Sequence, residues 1–429
     1  MFDWSKWEES VSYAASLMDE LRAATTSDSR INRPSYGEGE QTAHDLFARH
    51  GRALGLDTSV DPAGNLHLTL AGADRKAKRW VTGSHLDAVP DGGNFDGAVG
   101  VVAGMTVVHA LRRANIVPPA DFTIIAFRAE EGSSWFRGEH KSHFGSRALL
   151  GQLSREEMNA AVSVANGKTL SQSIRDAGFD PDAIDKGSSH LDMESVRGFL
   201  EIHIEQGPIL VYRGVPTGIV SGIRGTLRAR DCRSIGAYAH SGAVPREYRR
   251  DALFAAVELA GRLESKWHEW LAEGRDVVCT MGRFCTDPSR HSLTKVPGEV
   301  QFTIDIRSQE DSLLRQARDY LLDTASSIGR ERGVELDLGA LDMVAPSLMC
   351  PALQERLTAH AVALAIPAIP IASGAGHDTS SFVTAGIPSA MIFVRNEHGS
   401  HNPHEQMEIK DFSQAARILT SFILDQKQE

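Results

Sequence analysis

Apolar positions along the chain follow two rhythms. From about residue 80 onward, strand-like apolar runs alternate with helical ones. "RWVTGSHLD" is a strand, "GAVGVVAGMTVVHALRRAN" is a helix apolar on most sides, and "DFTIIAF" is a continuous apolar strand. "RGFLEIHIEQG" is a further strand that alternates at its end, and "IPIASGAGHD" and "IPSAMIFV" add two more before a closing helix, "DFSQAARILTSFILDQ". Apolar runs without polar alternation are buried on both faces, which suits a parallel sheet covered by helices. The first 80 or so residues predict helices, followed by the strand–turn pattern "SVDPAGNLHLTLAG".

Between about 215 and 345 the rhythm changes. The order is strand (GIRGTLRARDC), helix (RRDALFAAVELAGRLESKWHEW), strand (DVVCTMGRF), strand (GEVQFTIDIRS), helix (EDSLLRQARDYLLDTASSIGRE) and strand (VELDLGALDMV). That βαββαβ order resembles the ferredoxin-like split βαβ unit. The expected architecture is therefore α/β: a mixed, mostly parallel sheet flanked by helices, carrying an inserted α+β domain. The boundaries fall at 1–214, 215–345 and 346–429. A chain of 429 residues is too long for a single core, which agrees with two domains.

Composition narrows the partners. The formal net charge of −11 argues against nucleic acid and against an anionic membrane surface. The opening "MFDWSKWEESV" is acidic and lacks the basic and apolar regions of a signal peptide. No apolar run approaches the ~18 residues of a membrane span. The cysteines Cys232, Cys279, Cys285 and Cys350 are scattered without a CxxC, which fits structural thiols in a reducing compartment, the cytoplasm.

Polar clusters sit at the ends of the predicted strands. "GSHLDAVPDGGNFDG" (83–97) follows the first of them and contains His85, Asp87 and Asp96. Glu130 and Glu131 follow "DFTIIAFRA", His203 lies in "EIHIEQG", and His401 in "GSHNPHE". Each feature alone is ordinary: an acidic pair is usually a solvated face, and a Gly-Asp-Asn loop is usually a turn. Their shared position is not, because an open α/β sheet binds ligands outside the carboxyl ends of its strands. His85, Asp96, Glu131, His203 and His401 would supply the imidazole and carboxylate donors of a pair of zinc or related ions. Glu130, beside a ligand, could serve as general base, and Asp87 could orient the His85 imidazole.

With these residues in view, the chain resembles the N-carbamoyl-L-amino-acid hydrolase, β-ureidopropionase and allantoate amidohydrolase family. That family lies within the dinuclear metallopeptidase superfamily that also holds aminoacylase and carboxypeptidase G. The matching motifs are "GSHLDAVPDGGNFDG", "EEGS…GSRAL", "EIHIEQGPIL", "GAYAHSGAVP", "VPGEVQFTIDIRS", "SGAGHD" and "GSHNPHE", in family order. The resemblance implies two divalent ions per subunit, zinc first, with manganese, cobalt or nickel as alternatives. Their ligands would be His85, Asp96 (bridging), Glu131, His203 and His401. It implies Glu130 as catalytic base and Asp87 as partner of His85. It also implies that His240 polarises the scissile group, that Arg307 grips a substrate carboxylate, and that Gln206 and His377 lie near the substrate. The inserted domain would act as a lid and form a homodimer, with His240 supplied across it.

The chain departs from the family in two places. Thr294 stands where an Asn commonly helps bind the carboxylate end of the substrate. The segment "EGSSWFRGEHKSHFG" (131–145) is longer than usual and carries Trp135, Phe136, His140 and His143, as a plain loop extension or as a reshaped pocket for a bulky substrate. The expected activity is hydrolysis of an N-carbamoyl amino acid, a small molecule with a carboxylate, to the amino acid, ammonia and carbon dioxide. Allantoate, an N-acyl amino acid or hydrolytic deamination are the alternatives. A scaffold without metal would have lost ligands, and none of the five is missing.

Overall fold

A computed structural model describes residues 2–138 and 142–425, so His140 lies outside the described residues. The chain opens with α1 (Trp7–Thr25), α2 (Glu38–Ala53), β1 (Asp57–Val60) and β2 (Leu66–Leu70). Then come β3 (Arg79–His85), α3 (Ala98–Arg113), β4 (Phe122–Phe127), β5 (Val196–Ile204) and β6 (Thr217–Ile223). Next are β7 (Gly225–Ile235), α4 (Ala252–Ala272), β8 (Val278–Thr280), β9 (Glu299–Ser308), α5 (Asp311–Arg332), β10 (Glu335–Asp337) and β11 (Leu341–Val344). The chain closes with α6 (Pro351–Ala363), β12 (Ala368–Ser373), β13 (Ser389–Val394) and α7 (Ile409–Leu424). It folds as two compact units: Met1–Ser221 with Met349–Glu429, and Gly222–Leu348.

The first unit is built on a sheet in the order β6-β13-β5-β3-β4-β2-β1, with β12 paired to β6. Strands β13, β5, β3 and β4 run parallel. On either side the pairing turns antiparallel, at β6 on β13, β2 on β4 and β1 on β2. The mostly parallel sheet expected above is thus parallel only at its centre. The β1–β2 link is a tight turn that can only return antiparallel; Asp61 holds it by accepting from the backbone N–H groups of Ala63 (2.9 Å) and Asn65 (3.0 Å).

All six residues of β4 are buried, which explains its unbroken apolar run. Phe122, Ile124 and Ala126 face a core shared with α1, α2, α3, α6 and α7. Ile125 and Phe127 face the opposite layer with Val81, Phe199 and Phe382. Each large side chain fully buried contributes about 1.5–3 kcal/mol, so the centre of the sheet is a rigid platform for the loops at its carboxyl edge.

In the second unit the order is β8-β9-β7-β10, every pair antiparallel, with β11 also on β7. Strand β9 separates β7 from β8, and β7 separates β9 from β10, so each βαβ unit is split by a strand of the other. The single last strand expected from "VELDLGALDMV" is two, β10 and β11, both on β7. β9 alternates strictly, with Val300, Phe302, Ile304 and Ile306 turned to the core formed with α4 and α5. That alternation marks a sheet with one covered face.

All four cysteines are free; Cys232 is buried, while Cys285 is exposed and does not have the structural setting expected for it. Among the described residues, no helix is long and apolar enough to cross a membrane.

Candidate metal centre

The carboxyl ends of the parallel strands carry the predicted donors. His85 is the last residue of β3, Glu130 and Glu131 lie just beyond β4, His203 is near the end of β5, and His401 follows β13. Two sets of these side chains share Asp96. One is His85, Asp96 and His203; the other is Asp96, Glu131 and His401; within each set the donor atoms lie within 4.8 Å of one another.

Asp96 joins the sets through its two oxygens. Its Oδ1 lies 3.2 Å from His203 Nε2 and 3.9 Å from His85 Nε2, and its Oδ2 lies 3.4 Å from His401 Nε2. Glu131 Oε1 is 3.0 Å from His401 Nε2. Asp96 Oδ1 is buried and accepts no hydrogen bond. A buried carboxylate oxygen without a donor, ringed by imidazole nitrogens, is a setting that a divalent cation satisfies, and the nitrogen and oxygen donors suit zinc or a related ion. These residues fit such an ion.

The histidines are oriented from behind. His85 Nδ1 faces Asp87 O at 3.0 Å and Asp87 Oδ1 at 3.2 Å, and His203 Nδ1 faces Ile204 O at 2.9 Å. None of these oxygens carries a hydrogen, so each Nδ1 holds its proton and Nε2 is the atom turned inward. Burial disfavours charge on His85, but the carboxylates of Glu130, Asp87 and Asp96 outweigh it and hold its pKa well above the usual value. Hydrogen bonds to Asp96 and Glu131 push His401 up to about 11.

Asp87 does more than orient His85. Its Oδ1 accepts from the Glu130 N–H and its Oδ2 from the Glu131 N–H, both at 3.1 Å, and Ser35 Oγ donates to Oδ2 at 2.5 Å. One buried carboxylate therefore registers two predicted clusters against each other. Glu405 does the same for the Asp96 loop. It accepts from the N–H groups of Phe95 (2.8 Å) and Asp96 (3.2 Å) and lies 3.1 Å from Ser400 Oγ, whose hydroxyl donates to Asp96 Oδ2.

Sequence reasoning missed Ser35, Ser400 and Glu405. Glu405 had a signal as the closing acid of "GSHNPHE"; Ser35 had none. It also missed Glu201, a buried acid in β5 that accepts from Ser84 Oγ (2.7 Å) and Thr379 Oγ1 (2.5 Å).

Three residues at or beside the site have left-handed backbone. Ala129, Gln206 and His401 have φ of 51°, 61° and 59°, a region uncommon for non-glycine residues. At Gly97 (φ 69°) a Cβ would sit 2.4 Å from the His85 ring, so only glycine lets α3 start beside that imidazole.

Glu130 belongs to neither set that contains Asp96, although it groups with His85 and Glu131. Its Oε2 is 3.8 Å from His85 Nε2 and its Oε1 is 3.1 Å from His143 Nε2. Burial, opposed by His85 and reinforced by Glu131, Asp87 and Asp96, pushes its pKa well above the carboxylate range.

Residues 81–425 match the model of a family described as peptidase family M20/M25/M40. The chain belongs to that family. It is similar to an N-carbamoyl-L-amino acid amidohydrolase of Geobacillus stearothermophilus, 32% identical over 91% of each chain. It is also similar to an allantoate amidohydrolase of Escherichia coli (strain K12), 28% identical over 87% of each. Among solved structures, a hydantoinase/carbamoylase family amidase of Burkholderia multivorans superposes with a TM-score of 0.85 at 27% identity, covering 96% of this chain and 97% of that one.

The remaining predicted residues of this family member divide between the units. In the first, Gln206 Nε2 donates to Asp96 Oδ2 at 3.0 Å, and its Oε1 is buried without a partner. His377 is buried, 2.9 Å from Ser373 Oγ through Nε2, with its ring 4.4 Å from that of His203. In the second, His240 is exposed, and its Nδ1 accepts from the N–H groups of Gly242 (3.1 Å) and Ala243 (3.2 Å). His240 and Thr294 are neighbours there, because Ser241 N donates to Thr294 O at 2.9 Å. Arg307, on β9, pairs with Asp305 of its own strand at 2.8 Å.

Aromatics of the extended segment are packed. Phe136 is buried with Phe144 in a small apolar cluster, and Trp135 packs against that cluster and donates from Nε1 to Ala88 O at 2.9 Å. Those two rings serve packing; among the described residues of the segment after Glu131, His143 is the one that reaches Glu130 with its side chain.

Proposed function

We propose that this chain is a metal-dependent amidohydrolase that cleaves the linear carbamoyl C–N bond of an N-carbamoyl amino acid, releasing the amino acid, ammonia and carbon dioxide. The observation that carries the reading is the pair of donor sets sharing Asp96, with Glu130 alongside. His85 and His203 would hold one divalent ion and Glu131 and His401 the other, with Asp96 between them. When bound, such ions lower the pKa of a water and polarise a carbonyl oxygen. Glu130 takes a proton from the attacking water on its carboxylate and returns it to the leaving nitrogen. Gln206 holds the bridging Asp96 in place and, with His377, borders the substrate.

Arg307 would grip the substrate carboxylate with its planar fork, exchanging part of its pairing with Asp305, and Thr294 would border the same end. His240 would polarise the scissile carbonyl. The second unit would act as lid and, through an edge of its sheet, as homodimer surface. Cytoplasmic residence belongs to the same reading.

Allantoate is the second substrate reading, favoured by the allantoate amidohydrolase among the relatives. A panel of N-carbamoyl amino acids, N-acyl amino acids and allantoate, assayed for ammonia and amine with added zinc, manganese, cobalt or nickel, separates the two. No turnover of any member under any metal would overturn the proposed activity.

A further inference from the structure

The search for chemistry beyond the donor sets leads to His143. This residue stands in the extended segment after Glu131, and both its backbone and its ring are held. Its backbone N–H donates to Glu130 O at 3.1 Å, and its own carbonyl accepts from Arg147 N at 3.0 Å. Its φ is 62°, in the left-handed region, and the Phe144 that follows it is buried. Its imidazole Nε2 lies 3.1 Å from Glu130 Oε1, with the side chain only 18% exposed. A Cβ on Gly376 would lie 2.9 Å from both Cε1 and Nε2 of this ring, so the facing loop leaves room for the imidazole by carrying glycine there.

Glu130 is therefore flanked by two imidazoles, one at each oxygen. Oε2 is turned towards His85, a member of the donor sets, while Oε1 is turned away towards His143. Burial lowers the His143 pKa. Facing Glu130 in its ionised, proton-accepting form, Nε2 carries a hydrogen.

We propose that His143 is a positioning residue for Glu130: its Nε2–H holds Oε1, so that Oε2 is the oxygen presented to the reacting water. The inference rests on Glu130 as the proton acceptor, and it assigns a purpose to the extended segment. Contacts of this kind are commonly loose before substrate binds and tighten in the working complex.

The test compares three variants. His143→Ala removes the contact, His143→Phe keeps ring volume without a donor, and His143→Gln places an amide N–H near the Nε2 position. Misplacing a reacting group by about 1 Å costs about 10²-fold, so His143→Ala should lower kcat by about 10- to 100-fold at unchanged KM and metal content. His143→Gln should return most of that loss and His143→Phe none of it. Recovery in His143→Phe, or an effect confined to KM, would show that the residue only packs the segment or touches substrate, and would overturn the proposal. In a Glu130→Gln background His143→Ala should cost nothing more; a further loss also overturns it.

A readout independent of turnover separates this inference from the reading beneath it. The ¹⁵N resonance of His143 Nε2 should report a protonated nitrogen that shifts on Glu130→Gln. If the wild-type protein hydrolyses no amide, the proposed activity fails, and the resonance still decides the contact. A resonance indifferent to Glu130→Gln overturns the contact itself.

Discussion

Asp87→Asn replaces one accepting oxygen by an NH₂ group at almost no change in volume. The side chain is fully buried, and its two oxygens serve His85 Nδ1 and Glu130 N on one side and Glu131 N and Ser35 Oγ on the other. Whichever way the new amide faces, its NH₂ meets a backbone N–H that needs an acceptor. The Ser35 hydroxyl can rotate to accept, but the Glu130 or Glu131 N–H cannot. Two charge-assisted bonds are weakened and one buried donor is left unmade; at about 1.5–3 kcal/mol for a bond to a charged group and about 1–3 for an unmet donor, a loss of about 3–5 kcal/mol is expected. The loss of orientation behind His85 should cost a further ~10- to 100-fold in metal affinity. Urea unfolding of the metal-free protein reads the first number, and competition with a chromophoric chelator reads the second. A variant as stable as the wild type that binds metal with undiminished affinity would refute the assignment of Asp87 as the residue that registers the two clusters.

Glu130→Gln should keep its metal and lose about 10²–10⁴-fold in kcat, whereas Glu131→Gln should lose metal; equal metal loss in both would show the pair wrongly assigned. His401 is held up to about 11 and His85 well above its usual value by neighbouring carboxylates, so both carry an extra proton at neutral pH in the metal-free protein. Metal uptake should therefore release protons and tighten as pH rises, seen as calorimetric heats that depend on the ionisation enthalpy of the buffer; heats independent of buffer would count against it. The same raised values stabilise the metal-free fold most below the ordinary histidine pKa of 6.5, and that contribution should fade as pH climbs towards about 11. For His240, mixing inactive His240→Ala with inactive Glu130→Gln protein under confirmed subunit exchange should restore activity if the histidine acts across a dimer. A mixture that stays inactive places it in its own chain.

Much of this protein was legible along the chain because burial leaves a local trace. The all-buried β4 and the strictly alternating β9 could be told apart from sequence, since a side chain's partner layer depends on its parity within its own strand. The donors were legible for a similar reason. His85, Glu130, Glu131, His203 and His401 each end or follow an apolar strand, and parallel strands bring their carboxyl ends to one edge. The motif resemblance then assigned their proposed roles.

Tertiary structure decided the rest. No periodicity distinguishes a strand that joins an edge antiparallel from one that joins parallel, so the mixed pairing around the four central strands had no local signature. Ser35 meets Asp87 across 52 residues and Glu405 meets Phe95 across 310, distances over which only the fold determines proximity. The pairing of Arg307 with Asp305, two residues apart on one face of β9, was within reach of the sequence and was not read from it. The place of His143 was beyond reach. It depends on a left-handed backbone, a buried phenylalanine beside it and a missing side chain on Gly376, more than 200 residues away. Hydrogen bonds and steric gaps of that kind are properties of atoms in space, whereas the pattern of apolar residues records only which way each side chain turns.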